Sequence, residues 1–182
     1  MKINPEVNAM LDKKVAELLN EQVNKELYSA YLYMEFANYY ADEGLDGFRN
    51  WYEVQAKEER DHAIMIRAYL IDSGVRVTFG KIDAPDAKLG SYIDPLEAGL
   101  EHERYVTSLI TAIYNAAGDV RDYKTMQFLD WFVKEQGEEE KNAEELIKKM
   151  KLFGGDPKGL YMLNQELAAR TYVPSTNLPA NA

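Results

Sequence analysis

A chain of 182 residues, 46% of them hydrophobic, is long enough to form one domain with a sizeable core. Its formal net charge of −10 excludes a phosphate-binding surface, and with it nucleic acid as a partner, but is compatible with collecting cations. The absence of cysteine excludes disulfides, thiolate metal sites and a thiol nucleophile.

The opening residues, Met1 to Pro5, lead into no apolar segment of the signal-peptide kind. No apolar run reaches the ~20 residues that span a bilayer. The expected location is the cytoplasm, away from membranes.

Asn4-Pro5 is a possible helix start, Asn as cap and Pro in the first turn. From about residue 10 the pattern strengthens. Leu11, Val15, Leu18, Gln22, Glu26, Ser29, Tyr33, Phe36 and Tyr40 recur in steps of three and four, unbroken until Gly44. That predicts one helix of about 30 residues within 10–43, about 45 Å long at about 1.5 Å per residue. A second is predicted over 45–73, with Gly74 suited to the left-handed position beyond its end. Its stripe is Phe48, Tyr52, Gln55, Glu59, His62, Ile66 and Tyr69.

Residues 75 to 93 lose this rhythm. Gly80, Pro85 and Gly90 interrupt any strand, and a linker of that length can run from one end of a bundle to the other. Asp94-Pro95 opens a third helix, predicted over 95–118 and ended by Gly118, with Leu96, Leu100, Glu103, Val106, Ile110, Ile113 and Ala117 on its stripe. Asp122 caps a fourth, over 123–152, whose stripe is Met126, Leu129, Phe132, Gln136, Glu139, Ala143, Leu146 and Met150. Gly137 lies mid-helix and weakens it by ~1 kcal/mol relative to Ala. Gly154-Gly155-Asp156-Pro157 separates it from a short fifth helix over 157–170, expected as an appendage. The predicted fold is all-α: a four-helix bundle with one long crossover, forming a domain of residues 1–170, with 171–182 as an extended or disordered tail.

Each long helix carries a carboxylate within its apolar stripe: Glu26, Glu59, Glu103 and Glu139. An unpartnered buried carboxylate costs several kcal/mol, on the order of a small domain's whole stability. No Lys or Arg lies in these stripes to pair with them. Glu26 precedes Glu59 by 33 residues and Glu103 precedes Gln136 by 33, and His62 and Glu139 each follow three residues after the second member. Two helical hairpins with matching offsets bring all six side chains to one level. Four glutamates and a neutral histidine carry about −4, which two divalent ions neutralise. Oxygen and imidazole donors suit iron or manganese, and zinc less well. Glu59, beside His62 and the space between hairpins, is the natural bridge.

Other residues admit more than one role. Tyr33 reads equally as an electron or hydrogen-bond donor to the site and as a buried aromatic with a satisfied hydroxyl. Trp131 reads as core packing and His102 as a helix-flank histidine. Glu58, Glu135 and Glu138 lie in acidic runs that normally face solvent, yet they are also able to flank the centre as a weaker third cation site.

These features resemble the non-haem ferritins of bacteria and archaea. The resemblance rests on Leu19-Asn20-Glu21-Gln22, on Glu26 through Tyr33, and on Glu58-Glu59-Arg60-Asp61-His62. Glu101-His102-Glu103, Phe128 through Phe132 and Glu135 through Lys141 extend it. It implies one iron held by Glu26, Glu59 and His62, and a second held by Glu59, Glu103 and Glu139 with Gln136 adjacent. A third position would use Glu58, Glu135, Glu138 and Glu139. It further implies the ferritin-like bundle, oxidation of Fe(II) by O2 or H2O2, and storage of ferric mineral in a hollow homo-oligomer of 24 subunits. Gln136-x-x-Glu139 stands where bacterioferritins and rubrerythrins repeat Glu-x-x-His, which sets the chain apart from both. Two rival functions are a di-iron oxidase or oxygenase acting on an organic substrate, and a purely structural helical protein with glutamates at a subunit interface.

Overall fold

The computed structural model of the protein describes residues 11–179, so the Asn4-Pro5 helix start and the last three residues of the tail lie outside the described residues. Five helices follow one another: α1 Lys13–Asp42, α2 Asp46–Asp72, α3 Asp94–Asp119, α4 Tyr123–Phe153 and α5 Pro157–Ala168. Among the described residues no strand forms and no helix is long and apolar enough to cross a membrane.

Local chemistry accounts for the boundaries. Asp12 starts α1 by accepting from the backbone N–H groups of Lys14 at 2.9 Å and Val15 at 3.3 Å. α1 and α2 end alike, on Gly44 and Gly74 at φ +72° and +74°, with Leu45 N–H closing onto Tyr40 O and Val75 N–H onto Leu70 O. α3 runs past Gly118, the expected stop. Arg121 takes the left-handed turn instead, at φ 59°, where Asp122 N–H bonds Ala117 O. Asp94, expected as a cap, sits in the first turn of α3, where its carboxylate accepts from Gly90 N–H, Ser91 N–H and the Ser91 hydroxyl, fastening the crossover to the helix.

α1 packs along α2, α3 along α4, and α1 against α3, whereas no described Cα of α2 lies within 8 Å of one in α4. α2 and α4 meet through side chains instead: Tyr69 stacks on Phe128 with ring centroids 4.2 Å apart, its hydroxyl lies 2.7 Å from that of Thr125, and His62 packs edge-on against Trp131 and Phe132. The crossover, residues 75–93, runs along α1. Asn20 exchanges side-chain amide bonds with the backbone of Thr78, Asn24 does so with Gly80 and Lys81, and the Tyr40 hydroxyl donates to Tyr92 O at 2.6 Å. This path carries the chain back to the end where α2 began, so α2 and α3 are parallel.

α5 is not an appendage. α2 has no capping side chain of its own, and Asn164 of α5 supplies one: its Oδ1 accepts from Gly47 N–H at 2.7 Å and Phe48 N–H at 3.3 Å. The contact is so close that a Cβ on Gly47 would lie 1.7 Å from Asn164 O.

Candidate metal centre

Buried apolar side chains form two clusters. One holds Phe36, Tyr40, Phe48, Leu96 and Leu146; the other holds Leu19, Val23, Ile66, Ile110 and Phe132. Between them along each helix lies a buried polar layer: Gln22 and Glu26 on α1, Gln55, Glu59 and His62 on α2, Glu103 on α3, Gln136 and Glu139 on α4. All eight are at most 6% exposed. The helical step of 3.6 residues puts them inward with their apolar neighbours, so their burial follows from the same periodicity that builds the core.

Glu26, Glu59 and His62 each offer a donor atom, and these atoms lie within 4.8 Å of one another, a spacing that can hold a metal ion. His62 Nδ1 lies 3.4 Å from Glu59 Oε2. Glu103 and Glu139 come from the opposite hairpin, each oriented by neutral donors. The Tyr33 hydroxyl donates to Glu103 Oε1, Gln136 Nε2 donates to Glu103 Oε2 at 3.1 Å, and Gln55 Nε2 donates to Glu139 Oε2 at 2.9 Å. Gln22 Nε2 donates to Glu26 Oε1 at 2.8 Å. Every glutamate except the proposed bridge thus has a tyrosine or glutamine holding one edge.

The other edges are left open. Glu26 Oε2, Glu59 Oε1, His62 Nδ1 and Gln55 Oε1 are buried without a hydrogen-bond partner. A buried unsatisfied polar atom costs about 1–3 kcal/mol, more for a charged one, so four in one layer call for an occupant. Burial, reinforced by the charge of Glu59, pushes the Glu26 carboxyl up to about 8. Burial and Glu103 push Glu139 up to about 8. Burial, then Glu103 and Glu139, raise Glu59 well above the carboxylate range. Burial raises Glu103 against the opposing bonds from Tyr33 and Gln136. Without a cation the layer retains protons near neutrality; a cation replaces them as the counter-charge. An all-oxygen set with one imidazole fits a divalent first-row ion.

Tyr33 therefore touches the site through Glu103, and Trp131 lies with its ring 5.4 Å from the His62 ring. His102 is largely buried, with Nε2 2.7 Å from the Ser29 hydroxyl, and burial followed by nearby Lys25 lowers it to about 4. It packs edge-on against Tyr33. Gln136 meets the layer as a donor, through Nε2 to Glu103. Among the described residues the one acidic or histidine group with metal-ligand spacing is Glu26, Glu59 and His62, so Glu103 and Glu139, like Glu58, Glu135 and Glu138, stand outside that group. Glu58 instead holds Arg170 at 2.5 Å, and exposed Glu138 pairs with Lys134 at 3.3 Å.

Several contributors escaped sequence reasoning. Gln22 and Gln55 each stand four residues before a stripe glutamate, a signal that was available. Asp61, 2% exposed and bonded by the Tyr172 hydroxyl at 2.5 Å, and Arg170 gave none, because their partners lie more than a hundred residues away.

Comparison with known proteins bears on this geometry. The Ferritin-like domain family matches residues 16–153. Bacterial non-heme ferritins of Staphylococcus saprophyticus and Staphylococcus aureus are 40% and 37% identical over 163 residues, covering 90% of this chain and 98% of theirs. An open-pore ferritin from the hyperthermophilic archaeon Archaeoglobus fulgidus superposes with a TM-score of 0.87 at 38% identity, over 90% of this chain and 99% of that one. A four-helix bundle with a short fifth helix, a buried carboxylate–histidine layer at its middle, and similarity along nine-tenths of the sequence agree: the chain belongs to the ferritin family.

Proposed function

We propose that this ferritin oxidises Fe(II) in pairs at the mid-bundle layer, with Glu26, Glu59 and His62 binding one ion and Glu59, Glu103 and Glu139 the other. Iron is substrate and cargo: Fe(II) is oxidised and kept as ferric mineral. Two Fe(II) give up two electrons to one O2, which with two protons leaves as H2O2; with H2O2 as oxidant, two Fe(II) and two protons yield two waters. Holding two ions on a shared carboxylate makes that two-electron step available at one place. Protons leaving the carboxyl layer as cations enter are a local source for this chemistry.

The observation that carries the reading is the convergence of Glu26, Glu59 and His62, whose donor atoms lie within 4.8 Å of one another and each of which has a buried atom without a hydrogen-bond partner. Tyr33 and Gln136 hold Glu103 and Gln55 holds Glu139, so these carboxylates keep their orientation as ions come and go. The reading extends to a cytoplasmic shell of 24 chains, with residues 1–170 as the working domain.

Organic-substrate oxidation is disfavoured by space. The cavity beside Tyr33, Gln55, Glu103 and Glu139 measures about 20 Å³, room for about one water rather than for a substrate needing roughly 300 Å³ or more. The test is aerobic Fe(II) oxidation by Glu59→Ala, which removes the bridge. Rapid oxidation should disappear while the assembled shell persists; a wild-type rate would overturn the assignment.

A further inference from the structure

The small cavity that excludes an organic substrate lies where the metal layer meets the first apolar cluster. Leu96 and Leu146 of that cluster line it on one side, and the carboxylates of Glu103 and Glu139 on the other. Its volume of about 20 Å³ exceeds the ~10–15 Å³ that one water-sized molecule requires. Exposed Asn142 stands at its rim. Gly99 of α3 keeps the space open, since a Cβ there would come within 3.1 Å of the Tyr52 hydroxyl oxygen.

The polar walls of this cavity are one-sided in their hydrogen bonding. A phenol has one proton to give: Tyr33 gives its own to Glu103, and Tyr52 gives its own to Pro95 O at 3.0 Å. Gln55 turns Nε2 to Glu139 at 2.9 Å. The Gln55 residue is 4% exposed, and its Oε1 is buried with no hydrogen-bond partner. Once cations engage Glu103 and Glu139, the uncommitted oxygens are those of Gln55 and the two phenols, and all of them are acceptors. A guest must therefore bring its own O–H. O2 has no hydrogen to give. H2O2 carries an O–H on each oxygen and keeps lone pairs to turn toward the ions.

We propose that this cavity is a docking site for H2O2, that Gln55 Oε1 accepts one of its O–H groups, and that Gln55 thereby favours peroxide over O2 as the oxidant. The inference rests on the two-ion reading above, because the docked molecule faces the second ion. In the step that follows, the O–O bond breaks, each of two Fe(II) gives one electron, and two protons from the carboxyl layer complete two waters. Gln55 then has two roles: its nitrogen orients Glu139, and its oxygen orients the oxidant beside it.

The test is stopped-flow oxidation of Fe(II) bound to the assembled, full-length protein, with H2O2 under anaerobic conditions or with O2. In wild type H2O2 should half-saturate the reaction at a lower concentration than O2; the reverse order overturns the proposal. Ala143 lines the cavity one turn after Glu139, so Ala143→Leu fills it while leaving Gln55 and every carboxylate in place. The half-saturating H2O2 concentration should rise about tenfold, the equivalent of one lost hydrogen bond. The saturated rate, the rate with O2 and the Zn²⁺ stoichiometry of the metal-free protein should stay as in wild type. Gly99→Ala narrows the cavity from α3 and should act in the same direction, which keeps the test available if Ala143→Leu fails to assemble. An unchanged H2O2 dependence in both variants, or an equal loss with the two oxidants, overturns the proposal. A wild type that oxidises Fe(II) with H2O2 no faster than Glu59→Ala would instead overturn the two-ion centre itself.

Discussion

Gln55 of α2 reaches across the bundle to Glu139 of α4, donating its amide to Oε2 at 2.9 Å, although the two helices' backbones stay apart on that side. The bond is a direct tie between these two helices, and it orients the carboxylate that the second ion would need. Replacing Gln55 by Leu keeps the volume and removes the donor. Loss of a partner that orients a metal ligand typically costs about 10–100-fold in affinity or activity. We expect a loss of that order in the weaker of two Zn²⁺ or Fe(II) binding steps, with the tighter step at Glu26, Glu59 and His62 changed far less. Calorimetry of the metal-free protein resolves the two.

Stability should depend on pH in an unusual direction. Above the ordinary carboxylate value of 4.5, Glu26 and Glu139 lose their protons in the unfolded chain but keep them in the folded one until about 8. The folded state binds more protons across that window, so its stability falls as pH rises from about 4.5 to about 8. The metal-free protein should therefore show a higher thermal midpoint at pH 5.5 than at pH 8. Saturating Zn²⁺ substitutes for the protons and should diminish or reverse the difference. A metal-free midpoint that rises toward pH 8 would contradict the buried, proton-holding layer.

The α2–α5 junction gives a sharper mutational contrast. Asn164→Ala removes a cap and should cost about 0.5–2 kcal/mol. Gly47→Ala places a methyl 1.7 Å from the backbone oxygen of Asn164, which a side-chain rotation cannot relieve, and should cost more because α5 must shift. Guanidinium-chloride unfolding of the two variants orders them. In the opposite sense, Gly137→Ala meets nothing within 4 Å and should raise stability by up to ~1 kcal/mol.

These contrasts also mark how far the sequence could be read. Helices, their order and the carboxylate layer follow from spacing, because one periodicity dictates both the apolar faces and the position of Glu26, Glu59, Glu103 and Glu139. Residues just off that period were harder: Leu19 rather than Leu18 is the fully buried member of its pair. Gly118 looked like the end of α3, but Arg121 bears the left-handed turn, a conformation that residue type did not announce. Pairings such as Asn164 with α2, or Arg170 with Glu58, depend on where α5 and the residues after it settle once the bundle forms. No local pattern encodes them.

The central claim is that two ions share Glu59 between the hairpins. Anomalous scattering at the iron edge from crystals soaked anaerobically in Fe(II) tests it most directly. Two peaks per chain are predicted, one among Glu26, Glu59 and His62 and one among Glu59, Glu103 and Glu139. Iron bound only outside this layer, or one ion with Glu103 and Glu139 left uncoordinated, would contradict it.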